Sequence, residues 1–255
     1  MKVDRAARNI LRSLIYFVLP VIVSGCSSGM KRQFKSSHFV FIYNSHIDKK
    51  QALSVDSALE ANYLRISRDL QTEPADPIEV SIYSNRWTYA TTHGHWTSGG
   101  NIEGTGKLHF LRSGWDEKNI YKIAVHEFSH AVMLKLLIDR EPKPLPANFD
   151  AKFSKFPTWL YEAIAVYEAG QFEDPKTLPF LADNKYPPLA EFNDRSKGQK
   201  IYSVGYTMIE YILQQYGRNK FIELIAAYGN LKILGVADDQ FMQGWYAFVK
   251  AKYLH

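Results

Sequence analysis

His126 and His130 stand four residues apart with Glu127 between them. On a helix that interval puts both imidazoles on one face about a turn apart, within reach of a single zinc ion. Glu127 is rotated about 100° from His126, which aims its carboxylate at a water beside the metal rather than at the metal. Zinc lowers the pKa of such a water toward ~7, and the carboxylate can take its proton and pass it to a leaving amine. Surface helices also carry His and Glu harmlessly, but the neighbours argue against a surface position. Ile123, Ala124, Val125, Phe128, Ala131, Val132, Leu134, Leu136 and Leu137 make the segment apolar nearly all round, and a helix of that kind is buried. Buried Glu and His need partners, which a metal and its water supply.

A catalytic zinc takes three protein ligands and keeps one position open. The segment Pro157-Thr158-Trp159-Leu160-Tyr161-Glu162-Ala163-Ile164-Ala165-Val166-Tyr167-Glu168 offers two carboxylates. The turn neighbours of Glu162 are Thr158, Trp159, Ala165 and Val166, a mostly apolar face on which a carboxylate is costly unless matched to a cation. Glu168 sits near the helix end beside Gly170 and Gln171, where water is expected to solvate it. Glu162 is therefore the expected third ligand, and Ala163 and Ala165 are expected to let this helix approach the histidine helix closely. His93-Gly94-His95 in a glycine-rich stretch reads as a solvated loop, and His38, His46, His109 and His255 show no ligand partners by spacing.

These side chains need elements to hold them. Phe39–Tyr43 is an apolar, β-branched and aromatic run bounded by polar residues, hence a strand. Leu53, Leu59, Tyr63, Ile66 and Leu70 fall close to helical spacing over about 53–71, and Pro74 and Pro77 stop the pattern. Residues 78–83 alternate as a half-buried strand does, and the glycine-rich stretch 94–106 leads into a short strand at 107–111. From about Glu117 the pattern turns helical, over 117–139, about 158–170, about 199–216, about 218–229 and about 238–253. Gly217 and Gly235 punctuate it, and 141–157 and 173–198 read as Pro-rich loops. The expected fold class is α+β. A small α/β lobe (38–116) with an edge strand precedes a mostly helical catalytic lobe (117–255), together one domain over 38–255.

The His-Glu-x-x-His segment, followed by a helix reading Trp159-Leu160-Tyr161-Glu162-Ala163-Ile164-Ala165, resembles the gluzincin metallopeptidases. The similarity is greatest to the compact peptidase-MA-like bacterial branch related to the M1 aminopeptidases. It continues through Tyr202-Ser203-Val204-Gly205-Tyr206, Met208-Ile209-Glu210-Tyr211-Ile212 and Tyr216-Gly217, and covers about residues 39–253. It implies a zincin-type catalytic lobe, one Zn²⁺ per chain on His126, His130 and Glu162, Glu127 as the catalytic base, and a peptide or protein substrate. It also implies that the phenol of Tyr202, or failing it Tyr206, stabilises the oxyanion opposite zinc. The last strand before the zinc helix, 107–111, becomes the edge that binds substrate backbone by strand addition. The chain departs from the aminopeptidases in its longer interval between His130 and Glu162. It also lacks their Gly-x-Met-Glu-Asn segment. Only Glu103 of Gly99-Gly100-Asn101-Ile102-Glu103 is suggestive of that segment, so aminopeptidase specificity is not expected.

The N-terminus reads as an address. Lys2, Arg5, Arg8 and Arg12 precede the apolar run Leu14–Val23, too short to span a bilayer but suited to a signal peptide over residues 1–25. Val23-Ser24-Gly25-Cys26 resembles the lipobox of bacterial lipoproteins, and Cys26 is the only cysteine in the chain. It is expected to carry the lipid, with 26–37 as lipidated N-terminus and tether. The implied location is a bacterial membrane surface, with the outer membrane facing the periplasm favoured in a Gram-negative cell because Ser27 replaces a retaining aspartate. The first 25 residues supply +3 of the net charge of +5, so the remainder is nearly balanced and nucleic acid is excluded as a partner. The expected function is zinc-dependent hydrolysis of peptide bonds in envelope proteins or peptides. Two alternatives stay open, namely a peptidase-fold lipoprotein acting as a binding or assembly module, and a zinc amidase on non-peptide envelope material.

Overall fold

Strict alternation along Ile78–Tyr83 turns Ile78, Val80 and Ile82 to one side, and all three are fully buried. This strand is the centre of a five-stranded sheet in a computed structural model that describes residues 30–47, 49–93, 99–112, 120–194 and 200–254. The strands are β1 (Met30–Lys35), β2 (Phe39–Asn44), β3 (Ile78–Tyr83), β4 (Gly100–Glu103) and β5 (Lys107–Leu111), in the order β1-β2-β3-β5-β4. The pairs β2–β3 and β3–β5 are parallel, whereas β1 and β4 run antiparallel to their neighbours. Phe39, Phe41, Val80, Ile82, Leu108 and Phe110 form the sheet side of the main core.

The helices are α1 (Lys49–Leu70), α2 (Arg86–His93), α3 (Ile120–Arg140), α4 (Phe149–Phe153), α5 (Thr158–Glu168), α6 (Leu189–Phe192), α7 (Lys200–Ala226) and α8 (Asp238–Tyr253). The fold is α+β as expected, a sheet lobe followed by a mostly helical region. Helix α1 lies against α3, and Phe128 of α3 stands 5.6 Å from Phe39 of β2 and 5.8 Å from Tyr63 of α1, ring centre to ring centre. These aromatic contacts fix the rotation of α3, because Phe128 must face the sheet while His126 and His130 face α5. Helix α7 contains the break expected at Gly217, whose φ of 79° and ψ of 166° are non-helical.

Four expectations are corrected. The tether expected over 26–37 contains β1, which pairs with β2 through Lys35–Val40 and Phe34–Phe41. The sheet therefore begins before residue 38. The strand 107–111 is not an edge, because β4 covers it and forms the edge itself. Its four residues, with only Ile102 large and apolar, carry too little alternation to be read from sequence. The loops expected at 141–157 and 173–198 contain α4, α6 and two 3₁₀ turns, Pro175–Thr177 and Pro179–Asn184. Finally, Ala163 serves a different neighbour from the one expected. It faces Gly205 of α7, where a Cβ would lie 2.8 Å from the Ala163 Cα.

Candidate metal centre

Helix α3 turns His126 and His130 toward α5, and both are buried. Their Nε2 atoms lie 3.1 Å apart. Glu162 reaches in from α5, its Oε2 3.3 Å from His126 Nε2 and 3.6 Å from His130 Nε2. Among the described residues this is the one group of three metal-capable side chains brought together. A tetrahedral ion with bonds of about 2.0–2.2 Å has ligand-to-ligand edges of about 3.3–3.6 Å; both histidine–glutamate separations fall within that range and the histidine–histidine separation is slightly shorter. Two imidazole nitrogens with one carboxylate oxygen are a donor set suited to zinc. Burial alone would raise the Glu162 carboxyl, but hydrogen bonding and charge from His126 and His130 hold it well below the usual carboxylate range.

Glu127 is half-buried beside this cluster. Burial pushes its carboxyl up to about 7, with the Glu162 charge adding to the rise and His126 opposing it. Its side chain rests on the backbone of β4. A Cβ on Gly100 would stand 2.6 Å from Glu127 Cγ and 2.8 Å from its Oε1, so only glycine fits there. Gly100, and not Glu103, is thus where the 99–103 stretch touches the site. Glu103 is exposed at the other end of β4, 3.0 Å from Lys107 Nζ.

Tyr202 at the start of α7 holds its ring 6.1 Å from that of His126. Tyr206, one turn on, packs instead against Tyr167 and Phe172 at 5.0 and 5.3 Å. Of the two tyrosines, Tyr202 is the one beside the cluster.

Two further side chains support the histidines. Gln171 Oε1 lies 2.9 Å from His126 Nδ1, and Tyr161 stacks on the His130 ring at 3.9 Å with only 7° between the planes. Neither has a signal in spacing, since each depends on where a helix ends or which face it turns. Glu168 is corrected, being buried rather than solvated. Its Oε2 accepts a hydrogen bond from Arg65 Nη1 at 2.5 Å. Arg65 also bonds Asp69, and Asp69 meets Arg218. Elsewhere His38 pairs with Glu60 at 2.7 Å and His109 lies 3.4 Å from Glu103, a single carboxylate each. Cys26, His255 and the side chains of His93 and His95 lie outside the described residues. No protein-family model matches the chain, and no curated protein matches it at a significant level.

Proposed function

We propose that this chain is a zinc-dependent peptidase with one Zn²⁺ held by His126, His130 and Glu162, carried on a bacterial membrane by a lipid on Cys26. The observation that supports it most is the convergence of three buried donor atoms within 3.1–3.6 Å beside a half-buried glutamate. When bound, zinc supplies Lewis acidity toward the scissile carbonyl and makes water acidic near neutral pH. Glu127 takes the proton of the attacking water and returns it to the leaving amine, so no covalent intermediate is needed. Tyr202 donates its phenolic hydrogen to the developing oxyanion.

The position of β4 favours a peptide over a non-peptide amide. Among the described residues no strand pairs with its outer edge, and Gly100 at its start touches Glu127. An extended peptide added along that edge would satisfy its backbone hydrogen bonds and run past the base.

Metal content of the purified full chain, together with cleavage of a peptide library by wild type and Glu127→Gln, tests the proposal. One zinc per chain in both proteins and a loss of cleavage of about 10²–10⁴-fold in the variant are expected. Glu162→Ala should weaken zinc retention. A wild type without zinc would end the proposal, and zinc without cleavage would favour a binding module.

A further inference from the structure

Helix α5 does more than supply Glu162. It ends in a turn in which Gly170, at φ +61°, adopts the left-handed conformation. The Gly170 N–H bonds the carbonyl of Tyr167 at 3.0 Å and the Gln171 N–H bonds that of Val166 at 2.9 Å. This pair of bonds is the Schellman arrangement, which reverses the chain as the helix stops. Arg65 of α1 clamps the same helix end, donating at 2.5 Å both to the Glu168 carbonyl and to its carboxylate. The reversal brings the half-buried Gln171 side chain back to the site, with Oε1 2.9 Å from His126 Nδ1.

We infer that Gln171 is a positioning residue for the metal centre, accepting the Nδ1–H of His126 and so leaving the Nε2 lone pair directed at the ion. Hydrogen bonding of the second ring nitrogen fixes the tautomer and ring angle of a ligating histidine. The reverse amide orientation would put the proton on Nε2, aimed at His130 Nε2 only 3.1 Å away, and would deny the cluster a donor. An amide differs from the more usual carboxylate partner because it orients the imidazole without adding a negative charge behind it. One helix thereby controls two of the three ligands, Glu162 directly and His126 through the turn at its end. This assignment rests on the metal-centre reading above.

The test is zinc affinity of the full chain, measured against a chromophoric chelator, for wild type, Gln171→Leu, Gln171→Asn and Gln171→Glu. Imidazole ¹H–¹⁵N correlation spectra of the metal-free proteins accompany it. Gln171→Leu and the shorter Gln171→Asn should each weaken zinc binding by roughly 10–100-fold while unfolding as wild type does. Gln171→Glu should bind at least as tightly as wild type. The His126 Nδ1–H should appear as a hydrogen-bonded, slowly exchanging signal in wild type and lose that protection in the Leu variant. Wild-type affinity in Gln171→Leu, or a Glu variant as weak as the Leu variant, would overturn the inference. If the wild type itself binds no zinc, the metal reading fails instead. The spectra then still decide whether Gln171 holds the His126 Nδ1–H.

Discussion

Two carboxylates on α5 show how environment divides roles among like residues. Glu162 is held ionised by two histidines, whereas burial pushes Glu168 up to about 7 although Arg65 and Arg218 oppose the rise. The folded-state value of Glu168 lies above its ordinary 4.5, so folding favours the protonated form. Its contribution to stability is then fully present below about pH 4.5 and is lost as the pH rises through about 7. Thermal melts of wild type and Glu168→Gln across that window should show wild type losing ground to the variant as pH increases. A wild type that instead gains on the variant would mean that the Arg65 ion pair outweighs desolvation. The tyrosines also separate at this scale. Tyr202→Phe is expected to lower kcat by roughly 10²–10³-fold, whereas Tyr206→Phe, whose ring packs on Tyr167 and Phe172, should leave it near wild type. Equal losses from the two would remove Tyr202 from the oxyanion role.

Among elements, the contact between α5 and α7 sets the distance from Glu162 to Tyr202. Gly205 permits it, since a Cβ there would stand 2.8 Å from the Ala163 Cα and 3.2 Å from its Cβ. Gly205→Ala must push the helices apart, at a cost of about 1–3 kcal/mol, and carry Tyr202 away from His126. Denaturant midpoints should fall accordingly and kcat should fall with metal content intact; an unchanged midpoint would show that the interface yields freely. Much of this framework is legible in the sequence, because long apolar periodicity and glycine breaks carry α1, α3, α5 and α7, and 238–253 matches α8 residue for residue. The cluster is legible for the same reason, as His126, His130 and Glu162 each sit on a strongly patterned helix. What escapes is short or non-local. The four residues of β4 and the eight of α2 are too few for a period, and the burial of Glu168 depends on Arg65, 103 residues earlier. Gln171 escapes because its role is set by a turn geometry, which a glycine signals without saying where the next side chain points.

At the scale of the molecule, the sheet order separates the two ends that matter. Strand β4, beside Glu127, is one edge and β1 is the other. Four strand spacings of about 4.8 Å put roughly 19 Å between them. Cys26 precedes Met30 by four residues, and four extended residues reach at most about 14 Å. With the proposed lipid on Cys26, the β1 edge is therefore held close to the bilayer, and the β4 edge lies at the opposite end of the sheet. The charge of β1 agrees with this placement, since Arg32 and Lys35 fall within it and anionic headgroups attract basic groups near the surface. No described helix is long and apolar enough to cross a membrane. Cells expressing the full chain should hold the wild type in the membrane fraction, released by detergent but not by high salt. Cys26→Ser should either move to the soluble fraction or remain as an uncleaved precursor of higher mass. Wild type that washes off with salt, or a Cys26→Ser protein that is processed and still membrane-bound like wild type, would refute lipid anchoring at Cys26.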